Sequence, residues 1–129
     1  MTNKDTRSDF LSQIYHSLRA PRRRILIRLI AENDGDHLSV RTCARHVAAI
    51  ENEIQPQAAT GEQYRNVYNA LSQTHLSTLS DAGLVIYDTD RQTVSAGPNL
   101  QLGVLIISLN KATYQTLQGQ YPSEIDNSD

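Results

Sequence analysis

The most constraining feature of this sequence is a long amphipathic segment that leads directly into two short β-prone runs. Between residues 63 and 82, apolar residues recur mostly at steps of three and four, which places them along one side of an α-helix. Thr60 and Gln63 have the spacing of a capping box, so we expect both side chains to bond backbone N–H groups at the start of this helix. Gly83 is the residue type that commonly ends a helix. The apolar stripe comprises Val67, Ala70, Leu71, Thr74, Leu76, Leu79 and Ala82.

The residues after Gly83 predict a β-hairpin. Residues 84–87 are β-branched, aromatic or aliphatic, residues 88–91 form a polar turn, and residues 92–95 alternate as a returning strand. A long helix that leads directly into a hairpin is the central unit of a winged helix-turn-helix domain, in which that helix enters the DNA major groove.

The preceding residues predict three supporting helices. Ser8 and Asp9 can cap the first, Pro21 begins a second that ends near Asn33, and Ser39 caps a third that runs to residue 52. His37 and Leu38 are placed to form a short strand against the hairpin, and residues 53–59 form a loop. The buried sides of the second and third helices comprise Ile25, Leu26, Leu29, Ile30, Val40, Cys43, Ala44, Val47 and Ala48.

The chain is long enough for one compact domain. We expect a mainly α fold with a small antiparallel β-hairpin, namely a winged helix-turn-helix with extra N- and C-terminal helices. The apolar run at 104–107 fits a strand or a helix, and its continuation to Leu117 favours a helix. The predicted organisation is a disordered N-terminus (1–7), the winged helix-turn-helix domain (8–96), a C-terminal dimerisation helix (97–118) and a disordered acidic tail (119–129).

The composition excludes several classes of protein. One Cys allows neither an internal disulfide nor a four-Cys zinc site. No apolar run approaches the length of a membrane span, and the first ten residues lack the apolar core of a signal peptide, so we expect a cytoplasmic protein without a membrane partner. No phosphate loop, metal-ligand spacing or adjacent nucleophile and base is present, so we expect neither an enzyme nor a cofactor.

Charge is distributed unevenly along the chain. Residues 1–30 hold seven basic and two acidic residues, a net +5, whereas residues 31–129 hold five basic and twelve acidic residues, a net −7. Most DNA-binding domains are more basic than this. Ten of the twelve basic residues are Arg, and scarce Lys with abundant carboxylates is typical of salt-adapted cytoplasm.

The polar side of the long helix carries hydrogen-bonding groups suited to base edges. Asn and Gln can bind adenine through two hydrogen bonds, and Arg91 at the hairpin tip can reach the minor groove or the backbone. The alternatives are a helix face that is only solvated and a turn in which Arg91 pairs with Asp88 or Asp90. The candidate DNA contacts on the helix are Arg65, Asn66, Asn69, Ser72, Gln73 and Ser77.

Three consecutive arginines, Arg22, Arg23 and Arg24, follow Pro21. Cations are disfavoured at a helix N-terminus by the helix dipole, so we expect partners that offset this cost. DNA phosphates are one class of partner. Carboxylates of a partner chain, or of Glu32, Glu51 and Glu53, are the alternative.

The terminal helices carry more apolar residues than a single small winged helix can cover. We therefore expect a homodimer whose terminal helices pack across a two-fold axis. The alternative is that the last helix folds back on its own domain. The predicted dimerisation residues are Phe10, Leu11, Ile14, Leu18, Leu102, Leu105, Ile106 and Leu109.

Several segments resemble known winged-helix proteins. The run from His75 to Val85 (HLSTLSDAGLV) resembles the end of the DNA-reading helix in arsenic-repressor-like (ArsR-type) regulators. Residues 14–96 are similar to a family of small winged-helix proteins of halophilic archaea, through Pro21–Arg24, residues 48–52 (AAIEN), residues 64–68 (YRNVY), residues 73–76 (QTHL) and residues 83–88 (GLVIYD).

This resemblance implies a winged-helix transcriptional regulator without catalytic activity. Metal sensing is not expected, because Cys43 is alone and the four histidines lack ligand spacing. The expected function is DNA binding as a homodimer, with double-stranded DNA and a second copy of the chain as partners. Two alternatives remain: an adaptor that binds proteins rather than DNA, and a ligand sensor with a pocket between the terminal helices.

Overall fold

A computed structural model of the protein describes the backbone of residues 3–120 and the side chains of residues 9–110. The fold is mainly α with a small three-stranded antiparallel sheet in a winged-helix arrangement, which confirms the predicted class. The elements are α1 (Asn3–Ser17), α2 (Pro21–Glu32), β1 (Leu38–Ser39), α3 (Val40–Asn52), a 3-10 turn (Pro56–Ala58), α4 (Gly61–Ala70), a π-helical turn (Leu71–His75), α5 (Leu76–Asp81), β2 (Val85–Asp88), β3 (Thr93–Ala96) and α6 (Leu100–Gln120).

The sheet has the strand order β1-β3-β2, with Leu38 and Tyr87 both paired to Val94 from opposite sides. The short strand expected before α3 is therefore present, one residue later than predicted. Strands β2 and β3 also begin one residue later than predicted. Strand β2 begins late because Leu84 belongs to the end of α5, where its N–H donates to the carbonyl of Leu79 at 3.0 Å. Strand β3 begins late because Gln92 lies in the turn, with φ 54°.

The amphipathic segment is a continuous helical rod with a π turn in its middle. Its buried residues step by four from Val67 to Leu71, then by five to Leu76, then by three to Leu79. A regular α-helix would place Leu76 off the stripe. The N–H of Leu76 instead bonds the carbonyl of Leu71, five residues back, so the π turn absorbs one extra residue and keeps all four side chains buried. Thr74, which we predicted in the stripe, is exposed for the same reason.

The helix ends agree with the predicted caps at two of three places. The hydroxyl of Ser39 accepts from the N–H of Thr42 at 3.0 Å, as predicted. Gly83 has φ 74°, and its N–H bonds the carbonyl of Ser80, which with the bond from Leu84 forms a Schellman ending. The capping box at Thr60 is wrong, because Gly61 follows with φ 70° and the Thr60 side chain makes no capping bond.

The terminal helices differ from their predicted bounds. Helix α1 begins at Asn3 rather than at Ser8, so residues 3–7 are helical rather than disordered. The segment contains neither Gly nor Pro, so the helix has no local breaker there. Helix α6 continues to Gln120, and the predicted disorder of 121–129 lies outside the described residues. No helix among the described residues combines the length and apolar character needed to span a bilayer.

The core lies between α2, α3, the α4–α5 rod and the inner side of the sheet. The buried side of α3 carries small residues, including Ala44 and Ala48, which allow α3 and α4 to pack closely. Helix α6 crosses α2, and a Cβ at Gly103 would come within 2.7 Å of the Leu84 side chain, so glycine permits this close approach. The packing leaves the opposite face of α4 directed away from the core.

Candidate nucleic-acid interface

The outward face of the helical rod presents amides, a guanidinium and a hydroxyl to solvent. Helical spacing places these residues opposite Val67 and Leu71, which are buried. Five of the six helix residues predicted to contact DNA are exposed there: Arg65, Asn66, Asn69, Gln73 and Ser77. This face, defined by these five residues, is called the α4 face below.

Ser72 is the exception among the predicted contacts. Its residue lies in the π turn, and its hydroxyl oxygen is buried without a hydrogen-bond partner among the described residues. The extra residue in the turn changes the direction of the side chain relative to a regular helix. Ser72 is therefore not available to a ligand on the α4 face, and its prediction as a contact is wrong.

Two arginines that the sequence reasoning missed lie beside the α4 face. Arg41 and Arg45 are exposed on α3, four residues apart and hence on one side of that helix. Arg41 and Arg65 line a shallow concavity of about 230 Å³ together with Tyr64, Tyr68 and Asn69. The signal was the i, i+4 pair of arginines at the start of α3, which is visible in the sequence.

Aromatic side chains support this cluster of cations. The Arg45 guanidinium carbon lies 5.9 Å from the centre of the Tyr64 ring, a cation–π distance. The Tyr64 and Tyr68 rings are 5.9 Å apart at an angle of 50°. The contact with the Tyr64 ring restricts the long Arg45 side chain and holds its charge near the α3–α4 concavity.

The cations of this cluster are not neutralised within the described part of the chain. The salt bridge found among the described residues joins Arg22 to Glu51, on the other side of α3. Arg41, Arg45 and Arg65 have no described carboxylate oxygen within 4.0 Å. The two helices therefore present three positive charges that have no carboxylate partner among the described residues. Arg41 and Arg65 lie at the concavity and Arg45 lies against the Tyr64 ring, an arrangement suited to an anionic partner.

Arg22 and Arg24 have partners within the chain, and the partner of Arg22 is Glu51, one of the carboxylates given in the sequence analysis as the alternative to phosphate. Arg22 makes a two-point contact with Glu51, at 2.5 Å for Nε–Oε2 and 2.9 Å for Nη2–Oε1, and the hydrogen bond to Glu51 raises the pKa of Arg22. Arg24 Nη1 donates to the carbonyls of Leu18 and Arg19 at 2.8 and 2.9 Å. These contacts offset the cost of cations at the start of α2. The Glu51 carboxylate supplies negative charge to Arg22, and the carbonyls that directly follow α1 supply it to Arg24.

Arg23 is bonded to His75, the last residue of the π turn. Arg23 Nε donates to His75 Nδ1 at 3.0 Å, and Arg23 Nη1 lies 3.5 Å from the carbonyl of Ser17. Burial lowers the pKa of His75, and the charges of Arg23 and Arg22 lower it further. His75 therefore accepts this bond as a neutral imidazole, and it links α2 to the helical rod.

The hairpin tip is polar and carries charges of both signs. Arg91 and Asp90 are exposed, and the backbone N–H of Arg91 donates to Asp88 Oδ1 at 3.0 Å. The Asp88 carboxylate is thus used to close the turn. The Arg91 guanidinium has no described carboxylate within 4.0 Å, so the predicted contact residue of the hairpin is free to bind a partner.

Three of the predicted dimerisation residues belong to the core of their own chain. Ile14, Leu18 and Ile106 are buried, because α1 and α6 pack against the domain. Their assignment to a dimer surface is wrong for that reason, and Leu102 packs partly against the same core. The remaining four are exposed by between 39% and 56% of their surface: Phe10, Leu11, Leu105 and Leu109.

The terminal helices also border a concavity. It has a volume of about 500 Å³ and lies between α1, α2 and α6, with Leu18 and Ile106 at its base and Arg19, Arg24 and His16 at its sides. It is an open groove rather than the enclosed pocket expected of a ligand sensor. The described residues contain no group of three or more His, Cys, Asp or Glu side chains arranged to hold a metal ion.

Comparison with protein families matches residues 15–95 to a family described as a domain of unknown function (DUF7344). The chain belongs to this family. The DUF7344 region extends from the end of α1 to β3 and therefore includes the α4 face, Arg41, Arg45 and the hairpin. No curated protein and no solved structure shows a significant match to the chain.

The DUF7344 region ends before α6 begins. The candidate interface on α3 and α4 thus lies entirely within the family domain, whereas the four exposed residues predicted for the dimer surface lie outside it: Phe10, Leu11, Leu105 and Leu109. The two surfaces can be altered separately, which the experiments below use.

Proposed function

We propose that this protein binds double-stranded DNA as a homodimeric transcriptional regulator. The α4 face enters the major groove, and the hairpin tip with Arg91 touches the backbone or the minor groove. The observation that carries this proposal is the position of three arginines, Arg41, Arg45 and Arg65, beside an exposed face of amide side chains; none of the three has a carboxylate partner among residues 9–110. Phosphate contacts position such a protein, and amide contacts select the sequence.

Asn69 and Gln73 are the residues that we assign to base reading. They are four residues apart and exposed on the same side of the rod, so both can enter one groove. Each amide can bond adenine through a donor and an acceptor, which contributes about 1–3 kcal/mol of discrimination against other bases. Arg65, on the first turns of the same helix, can bond guanine or phosphate.

The first experiment is selection of bound duplexes from a pool of random DNA sequences by the full chain. We expect a consensus sequence to be enriched. Replacing Asn69 and Gln73 with Ala should lower the affinity for that sequence at least about tenfold while changing the affinity for random DNA less than twofold. The matched control replaces Gln57 and Gln101, which are exposed away from the α4 face, and should leave both affinities unchanged.

A pool from which no sequence is enriched argues against a sequence-specific regulator. Equal losses of affinity for the selected and random duplexes in the Asn69 and Gln73 variant argue against base reading by these two residues. In that case the three arginines would account for DNA binding without specificity.

The homodimer rests on the exposed apolar residues of the terminal helices. Leu105 and Leu109 are 52% and 56% exposed and lie on one side of α6, and Phe10 and Leu11 on α1 are each 39% exposed. Covering these groups with a second copy would remove apolar surface from water. Two copies would also present two α4 faces to successive turns of one duplex.

The oligomeric state is tested by sedimentation of the full chain. We expect a dimer, and replacing Leu105 and Leu109 with Ser should shift it to a monomer. The matched control replaces Ile86, which is 55% exposed on the hairpin, and should remain a dimer. A monomeric parent protein, or a dimer that persists in the Leu105 and Leu109 variant, would contradict this part of the proposal.

An adaptor that binds proteins is the second candidate. It is favoured by carboxylates around the hairpin and the start of α4, where Asp90 and Glu62 are exposed. Like charges there repel phosphate, which lowers the affinity for DNA. DNA binding that stays undetectable at low salt, combined with an intact dimer, would favour the adaptor.

A further inference from the structure

Gln92 occupies a backbone conformation that its residue type rarely adopts. Its φ is 54°, in the left-handed region, at the point where the turn between β2 and β3 returns to the sheet. Glycine adopts this conformation without steric cost, whereas a residue with a Cβ does not. Local backbone geometry therefore does not explain a Gln at this position, and the contacts of its side chain have to be considered.

The Gln92 side-chain amide is fully used in hydrogen bonds. Its Oε1 accepts from the Tyr68 hydroxyl of α4 at 2.8 Å. Its Nε2 donates to the Tyr87 hydroxyl of β2 at 3.2 Å and to the carbonyl of Thr89 in the turn at 2.9 Å. One amide group thus connects the α4 helix to both the strand and the tip of the hairpin.

The backbone of Gln92 connects a third element. Its carbonyl accepts from the N–H of Val40, the first residue of α3, at 2.9 Å. Arg41, one of the three unpaired cations, follows immediately in the chain. The start of α3, the last turn of α4 and the hairpin therefore meet at a single residue, which is partly buried.

We propose that Gln92 is a positioning residue that holds the hairpin at a fixed distance and angle from α4. The link sets where Arg91 at the hairpin tip stands relative to Asn69 on the α4 face. A hairpin free to pivot would have to be ordered on binding, at a cost in conformational entropy that a preorganised hairpin avoids. The DNA part of this inference rests on the proposed function, but the link itself does not.

The link is tested in the free protein by measuring distances between two spin labels. The labels are attached after the substitutions Asn66→Cys on α4 and Asp90→Cys at the hairpin tip, and labelled protein is diluted with unlabelled protein so that distances within one chain dominate. Electron–electron dipolar spectroscopy then reports the distribution of this distance. The native Cys43 is buried and is not expected to take up a label.

Three substitutions separate the possible causes. Tyr68→Phe removes only the hydroxyl that reaches Gln92 from α4. Gln92→Gly removes the whole side chain and also relieves the left-handed backbone, so the fold should be retained. Tyr87→Phe is the matched control, because it removes another hydroxyl bonded to the same amide but leaves the bond to α4 intact.

We expect the distance distribution to broaden at least twofold in Tyr68→Phe and Gln92→Gly and to remain narrow in Tyr87→Phe. We also expect the affinity for a selected duplex to fall about fivefold in Tyr68→Phe, the usual effect of one hydrogen bond, and less than twofold in Tyr87→Phe. Distributions that stay equally narrow in all three variants would overturn the link.

The binding data separate this inference from the proposed function. Broadened distributions with unchanged affinity for the duplex would overturn the positioning role while leaving the link in place. A parent protein that binds no duplex would overturn the proposed function, and the distance distributions would still decide whether Gln92 holds the hairpin to α4.

Discussion

Under the proposed function, the salt dependence of DNA binding should differ between the arginines of α3 and α4 and those at or beside α2. A cation that neutralises a phosphate releases condensed counterions, so the logarithm of the affinity falls by about 0.9 per phosphate contact for each unit of log salt concentration. Arg41 and Arg65 border one concavity and have no described carboxylate within 4.0 Å. Replacing both with Gln should therefore remove about two phosphate contacts per protomer, about four for the proposed dimer, and flatten the slope of the dimer by about 3.6.

The size of the effect follows directly from that slope. Between 50 and 200 mM salt, a fourfold change, the two contacts account for about a twelvefold loss of affinity per protomer and about a 150-fold loss for the dimer. The affinity of the double variant should therefore fall about 150-fold less than that of the parent dimer over this range, although the variant binds more weakly at low salt. Fluorescence anisotropy of a labelled random-sequence duplex, titrated at several salt concentrations, measures both quantities.

The control uses arginines of the same exposure and charge elsewhere on the molecule. Arg19 and Arg28 are exposed and border grooves next to α6 rather than the α3–α4 concavity. Replacing both with Gln changes the net charge equally and should leave the slope within about 0.3 of the parent, since neither reaches phosphate in this arrangement. Equal flattening in both double variants would refute a localised site and indicate a diffuse charge effect.

Three further predictions concern the core and the buried polar groups. Because the pKa of His75 is lowered in the folded chain, its protonation favours unfolding, so the free energy of unfolding should decline as pH falls below about 6.5. Denaturant titrations at several pH values should show a weaker decline for His75→Gln and the same decline as the parent protein for the exposed control His37→Gln. Burial raises the pKa of Cys43 to about 11, so a thiol-reactive dye should modify the folded chain slowly at pH 8 and the unfolded chain quickly; rapid modification of the native protein would contradict this. A Cβ at Gly97 would meet backbone atoms at 2.5 to 2.8 Å, so Gly97→Ala should destabilise the chain by about 3 kcal/mol, whereas Gly35→Ala, with its nearest neighbour at 3.5 Å, should change stability by less than about 0.5 kcal/mol in thermal unfolding.

The sequence was sufficient for the order and type of most elements, because these depend on local rules. The Ser39 cap, the Gly83 ending and the helical spacing of the apolar residues each act within one or two turns of the chain. The exposed positions of Asn69 and Gln73 follow from the same spacing. Local periodicity therefore located the α4 face, even though it missed the π turn and so placed Thr74 and Ser72 wrongly.

The tertiary structure decided which charges have partners. Arg22 and Glu51 are 29 residues apart and meet only because α2 packs beside α3, and Arg23 reaches His75 across 52 residues. The spacing of apolar residues contains no information about which distant side chains form ion pairs or hydrogen bonds. The sequence alone therefore predicts Arg22, Arg23 and Arg24 as a cluster available to phosphate. The same packing placed Arg41 and Arg45 beside α4, with no carboxylate within 4.0 Å in the part of the chain whose side chains are described. The amino-acid sequence alone determined the set of helices and strands and the faces they bury, because these follow from neighbours along the chain. Only the folded chain decided which cations remain available to a partner, because that depends on which distant groups the packing brings within hydrogen-bond distance.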